Sequence, residues 1–487
     1  MKKTNPMKPL SILTFLCLPM LIFSQDCDCS SNYAWVKKTF EENDAGYAYA
    51  LQKKGRELYE AHNSQIAAKV AAVETLQECQ AVLYEWLTFF RPGHIGLQLH
   101  ESVTQQSANE APVNSFPDWE TYAMPAEDFR AYLDQKEDPG FEGIWETSSY
   151  GIGIKKEGDT YVGFIVESGA ETWSEGQVKL KFQVEEDRES GVFYMYDHSP
   201  VAFDKISMLG ANSLQLGRFN LSRRYPELTA DPKFDAYIKS MDATLPYLDQ
   251  ISETTLYLRI PSFQGSEKKA IDSVIAANRE KILATENLII DIRNGTGGSD
   301  SSYKELLPFL YTNPIREVGV EFLSTKLNNQ RMLDFINKPE YGFDEEGKKW
   351  AQESFDRLTK QEGAWVNLND TKATIIEYDT VYPYPKNIGI LINGGNGSTD
   401  EQFLLAAKQS RKVKLFGTST MGVLDVSNMY FVPSPCNEFY LGYSLTRSMR
   451  IPDFTIDEHG IQPDFYLDSE IPEYEWVRYT ESILKGE

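Results

Sequence analysis

A chain of 487 residues has room for about three domains at roughly 150 residues each, and 41% hydrophobic with 13% aromatic side chains rules out a disordered polymer. Its net charge of −24 repels phosphate, which argues against nucleic acid as a partner and otherwise serves solubility. Five histidines without a His-Glu-x-x-His pair give no basis for a metalloprotease, and neither a metal nor an organic cofactor is expected.

Residues 1–24 read as a signal peptide. Lys2, Lys3 and Lys8 precede the apolar run Leu10 to Phe23, which breaks at Ser24-Gln25-Asp26 and is too short to cross a bilayer. Cys17 lies inside that run and Cys27 follows Asp26 rather than a small residue, so no lipobox is expected. No later apolar run approaches the length of a membrane span. The expectation is an exported protein, periplasmic or extracellular. Removing the segment leaves Cys27, Cys29, Cys79 and Cys436, enough for two disulfides in an oxidising compartment. No finger-like Cys or His pair follows Cys27-Asp28-Cys29, so a staple from Cys27 or Cys29 to Cys79 is favoured over a metal site.

Residues 25–110 read as an N-terminal helical domain. Leu76, Cys79, Leu83, Trp86, Leu87 and Phe90 share one helix face, and Arg91-Pro92-Gly93 stops the helix. A half-buried strand follows, with Ile95, Leu97 and Leu99 on one side and His94, Gly96, Gln98 and His100 on the other. Residues 111–245 read as an antiparallel β-rich domain, a barrel or a sandwich, with alternating sets such as Tyr150, Ile152, Ile154 and Val178, Leu180, Phe182, Val184. Its Tyr161, Trp173, Phe193, Tyr194 and Tyr196 read first as core, and as a ligand site if exposed.

Residues 246–487 alternate strand and helix, which predicts a largely parallel or mixed sheet with right-handed crossovers. Strands are expected over 256–260 and 287–292, with helices on Ile271, Val274, Ile275 and Ile282, around Tyr303 to Leu310, and from about Asp334 to Gln361. The whole is a multidomain α+β protein with a C-terminal α/β unit.

Two segments of that unit carry chemistry. Leu288-Ile289-Ile290-Asp291-Ile292-Arg293-Asn294 runs into Gly295-Thr296-Gly297-Gly298, and Ile390-Leu391-Ile392 runs into Asn393-Gly394-Gly395-Asn396-Gly397-Ser398-Thr399-Asp400-Glu401. A strand fixes position, glycines remove bulk, and a helix N-terminus offers free N–H donors, so Ser398 is presented as a nucleophile. Ser-x-x-Glu is also a capping box. Asp291 and Arg293 read as a structural pair, and Glu401 as a cap or a steering group.

These segments, with Leu256 to Phe263, Phe416-Gly417-Thr418-Ser419-Thr420-Met421-Gly422 and Gly460-Ile461-Gln462-Pro463-Asp464, resemble the tail-specific (C-terminal processing) serine peptidases, from roughly Ile251 to Leu467. The resemblance implies a crotonase- and Clp-protease-like α/β spiral, an acyl-enzyme mechanism, and a protein or peptide substrate. The family commonly carries a PDZ domain; no carboxylate-binding loop of that kind is evident here. One branch of the family takes a lysine as base just after the Gly-x-x-Thr-x-Gly turn, but that position is Val423. The chain is therefore similar to the tricorn-core-like branch, which implies His94 as base, although the aspartate of the family's Asp-Gly-His segment is Pro92 here. His100 is the fallback. The resemblance also implies an oxyanion hole from the N–H of Thr399 and of Gly297 or Gly298, and a triad acid at Asp457 by spacing or Glu458 by residue type. If both acids face solvent, a backbone carbonyl or Glu401 would orient the base. The alternatives are a catalytically silent homologue that binds peptides or small ligands, and a secreted binding protein whose β-rich domain carries the function.

Overall fold

The computed structural model describes residues 27–100, 118–147, 149–185, 188–217 and 219–486; the expected signal peptide lies outside them. The architecture is a mixed α/β assembly built on three main sheets.

The catalytic-type sheet has six strands, four of them in the parallel run Thr255–Arg259, Asn287–Asp291, Asn387–Ile392 and Val413–Gly417, with the antiparallel Tyr247–Ser252 at one edge. Its central strands are apolar on both faces, as a parallel sheet requires. Leu288, Ile290, Ile388, Ile390 and Ile392 pack towards helices Lys268–Ile282 and Thr399–Ala407, while Tyr257, Ile289, Leu391 and Phe416 pack towards helix Trp476–Lys485. Asp291 pairs with Leu391, so the two glycine-rich turns leave the sheet side by side at the carboxyl ends of adjacent strands. Clefts in open α/β sheets form at such ends.

Residues 143–225 form a nine-stranded antiparallel sheet. Its edge strands Pro200–Phe203 and Ile206–Leu209 are joined by Asp204-Lys205, and Phe203 packs where a side chain on Gly217 would sit. The sheet therefore curls almost into a barrel around one core. Trp173 and Phe193 are buried in that core, Tyr161 and Tyr194 pack against it, and only Tyr196 of the five aromatics is exposed.

The N-terminal helices Cys29–Asn43, Tyr47–Lys54, Arg56–Val70 and Leu76–Thr88 do not make a core of their own. Phe40, Trp86, Leu87 and Phe90 share one with Tyr430, Phe439, Leu441 and Tyr443, which lie on the antiparallel strands Val426–Pro433 and Phe439–Ser448. Strand Gly96–Leu99 pairs with the second of these, Gly96 opposite Gly442. Periodicity marks the helices but not this long-range partner, because one apolar stripe looks the same whatever covers it.

Two disulfides tie the arrangement. Cys29–Cys79 spans 50 residues and is worth about 4 kcal/mol on the loop-entropy account. Cys27–Cys436 was not anticipated and joins the start of the first helix to the hairpin of strands 426–433 and 439–448. Non-reducing peptide mapping should recover these two pairs; four free thiols, or a Cys27–Cys79 pair, would refute the pairing.

Candidate active site

Ser398 stands where strand Asn387–Ile392 has passed through its turn and helix Thr399–Ala407 begins. Its backbone has φ 58° and ψ −117°, a left-handed setting that costs a non-glycine residue of order 1–3 kcal/mol and is seen at strained functional turns. His94, at the end of the N-terminal helical segment, has φ 52°. The two strained residues meet: Ser398 Oγ–H donates to His94 Nε2 at 3.1 Å, across 304 residues of sequence.

The other imidazole nitrogen settles the tautomer. His94 Nδ1 lies 2.8 Å from the carbonyl of Val426, and a carbonyl only accepts, so Nδ1 carries the proton and Nε2 is free to accept from serine. Burial, helped by the Arg91 guanidinium, pushes the imidazole down to about 4, so it is neutral at mildly acidic and neutral pH. Arg91 also holds the loop in place: its guanidinium donates to the carbonyls of Gly93 and His94 and pairs with the buried Asp44 carboxylate at 2.6 Å.

The two expected acids do not touch His94. Asp457 accepts from the N–H of Asp425 at 2.6 Å and of Val426 at 3.3 Å, so it grips the residue whose carbonyl binds His94. Burial, then the neighbouring Asp425 charge, pushes the Asp457 carboxyl up to about 7. Asp425 in turn forms a buried ion pair with Arg450 and accepts from the N–H of Ile456 and Asp457. Glu458 points away, exposed and paired with Lys53 at 2.5 Å. Direct carboxylate contact with His94 is thus corrected to a backbone carbonyl acceptor; a strand-end carbonyl leaves no trace in side-chain identity.

Val423, at the lysine position, is buried and fills the space between Gly93 of the histidine loop and Gly397 of the serine turn. Lys408 and Lys414 are exposed, whereas Lys412 is half-buried with its ammonium on the carbonyl of Tyr382 rather than solvated. His100 stacks on Tyr440 and bonds its hydroxyl. Glu401 is fully buried: its carboxylate accepts from Ser398 N–H at 3.2 Å, Thr420 Oγ1–H at 2.6 Å, Gly422 N–H at 2.7 Å and Val423 N–H at 3.0 Å. One carboxylate therefore both caps the serine helix and anchors the Gly417–Gly422 turn. Asp291 and Arg293 are a fully buried pair at 2.6 Å, and the guanidinium also donates to the carbonyl of Glu473.

The glycine turn of strand Asn287–Asp291 lies against this assembly. Gly297, at φ 86°, has no room for a side chain, since a Cβ would fall 2.8 Å from the Gly397 carbonyl and from Ser398 Cβ. Asn294 and Asn393 lock the two turns through side-chain amides at 2.8 and 3.0 Å. Thr399 N–H, at the first helical position, has no intrahelical acceptor, and Thr399 Oγ1 donates to Asp300 at 3.1 Å.

The sequence of residues 254–467 matches peptidase family S41. No curated protein matches the chain. Among solved structures, mature CPAF complexed with lactacystin superposes with a TM-score of 0.52 at 15% identity, covering 94% of this chain and 97% of that one. A second structure of mature CPAF gives 0.51 at 13% identity, covering 94% and 96%. At such identity these likenesses speak for the fold alone. Tricorn protease superposes only at 0.40, with 13% identity over 94% of this chain and 37% of that one, and nothing rests on it. The matched region, residues 254–467, carries both glycine turns and Ser398 and is of peptidase family S41, the tail-specific peptidases, which supports a serine-type peptidase.

Proposed function

We propose that the chain is an exported endopeptidase that cleaves peptide bonds through an acyl-enzyme on Ser398, with His94 as base and a crotonase- and Clp-protease-like catalytic unit. The observation that carries the reading is the 3.1 Å contact between Ser398 Oγ and His94 Nε2, in the tautomer that accepts a proton. As Oγ attacks the scissile carbonyl carbon, its proton passes to Nε2. The alkoxide forms beside the N–H groups of Thr399 and the Gly297–Gly298 turn, each such donor worth roughly 3 kcal/mol in the transition state. Collapse breaks the C–N bond, the imidazolium protonates the leaving amine, and water releases the acyl group by the same route. Export is supported by two disulfides, which persist in oxidising compartments, and among the described residues no helix is long and apolar enough to cross a membrane.

Fluorophosphonate labelling followed by peptide mapping tests the reading: the adduct is expected on Ser398. A folded wild-type protein that takes up no label would favour the silent homologue instead.

The orienting role divides between a carbonyl and the carboxylate behind it. Asp457→Asn is expected to lower turnover about 10- to 100-fold, well short of the roughly 10⁴-fold seen when a triad carboxylate in direct contact is neutralised. Glu458→Gln is expected to change little, its partner being a surface lysine. A larger loss in Glu458→Gln than in Asp457→Asn would reverse the assignment.

A further inference from the structure

One buried group beside the nucleophile has no part in the scheme above. Asp400, the second residue of the serine helix, is fully buried, and its side chain enters the space between the two glycine-rich turns. A Cβ on Gly295 would fall 2.8 Å from Asp400 Oδ2 and 3.1 Å from Oδ1. Oδ2 accepts from Asn396 Nδ2 at 3.0 Å, and the same amide donates to the carbonyl of Ile292, which ends the neighbouring strand. Oδ1 is buried without a hydrogen-bond partner. The N–H groups of Gly297 and Gly397 face the carboxyl closely enough to favour its charged form, yet neither completes a hydrogen bond of normal geometry.

We propose that Asp400 is a pH-sensitive positioning residue for the oxyanion hole, permissive as the neutral acid and inhibitory as the carboxylate. The proposal rests on the serine-peptidase reading above. As a neutral acid, the carboxyl tolerates one unpartnered oxygen and leaves the Gly297–Gly298 turn in place around Ser398. Loss of its proton to solvent puts a negative charge in a dry space that must then be satisfied. The available donors are the N–H groups of Gly297 and Gly397, on the turns that form the hole. The carboxylate would draw those donors towards itself, and its charge would oppose the alkoxide forming on the far side of the same turn.

Burial pushes the Asp400 carboxyl up to about 7, which puts the change within an ordinary working range. The charged neighbour acting on it is Glu401, on the same helix. The neutral amide of Asn396 bonds it, Asn294 is engaged with Asn393, and Asp300 reaches Thr399 rather than Asp400. His94, which titrates near 4, has completed its change well below that range. Asp457 also titrates near 7, but its ionisation strengthens the grip on the Val426 N–H, so its effect on rate has the opposite sign.

The test is the second-order rate of fluorophosphonate labelling at Ser398 across pH 5 to 9, in the full chain and in two non-ionisable variants, Asp400→Asn and Asp400→Ser, each checked for native circular dichroism. The wild-type rate is expected to fall above neutrality, approaching tenfold per pH unit. Any variant that folds should lose that fall while still labelling. Asp457→Asn, run in parallel, should keep it. A wild-type profile with no alkaline fall, a folded Asp400 variant that keeps it, or one that does not label at any pH would overturn the proposal. Wild-type protein that never labels would instead remove the serine-peptidase reading, and this inference with it.

Discussion

Ser398→Ala is expected to reduce peptide hydrolysis by on the order of 10⁶-fold and to leave the fold unchanged. The side chain is small and half-buried, with its hydroxyl on His94, so its removal opens no large cavity. The backbone at φ 58° is held by its surroundings: Glu401 keeps the Ser398 N–H, and Asn396 keeps the turn against the carbonyl of Ile292. Alanine at that position therefore retains the turn and loses only the nucleophile. Residual hydrolysis above water is expected from the hole alone, typically 10³- to 10⁴-fold. The measurement is turnover of an unstructured protein substrate alongside thermal unfolding. Turnover close to wild type would sink the nucleophile assignment, while a large drop in melting temperature would show a structural role instead.

His94→Ala should cost about as much as loss of the serine, because nucleophile and base act as a unit. The hydroxyl would then have nothing to take its proton: Val423 occupies the lysine position, Lys412 is held at the carbonyl of Tyr382, and Lys408 donates to the carbonyl of Gln462. Lys414→Ala, an exposed site on strand Val413–Gly417, is the matched control and should leave turnover unchanged. Substantial activity in His94→Ala, or its loss in Lys414→Ala, would return the chain to a lysine-dependent mechanism.

What could be read from residues alone follows the range of the interactions involved. The two strand–turn segments were legible because strand, glycine turn and helix start are each local, and because neighbouring parallel strands bring such turns together. The valine in place of lysine was legible as a single residue type that does not accept a proton. A backbone carbonyl was among the orienting groups considered for His94, but which one was not legible, because any residue at Val426 would supply the same main-chain oxygen. Nor was the partner of Cys27, since a 409-residue separation fixes no pairing until the fold brings the ends together. Asp400 went unread for a further reason: alternation and spacing say nothing about which carboxyl at a helix start turns inward, and here Asp400 and Glu401 both do.

The sheet that joins strand Gly96–Leu99 to Phe439–Ser448 has a consequence for biosynthesis. His94 is translated about three hundred residues before Ser398, and the carbonyl that orients it belongs to a strand pair made later still. Contacts of such sequence separation form late, because the intervening chain must close first. A nascent chain that has already exposed its histidine, and even its serine, therefore holds no assembled proton relay until residues 426–448 have left the ribosome and folded onto the N-terminal helices. On the proposed reading, the protein would be inert towards its makers for most of its own synthesis.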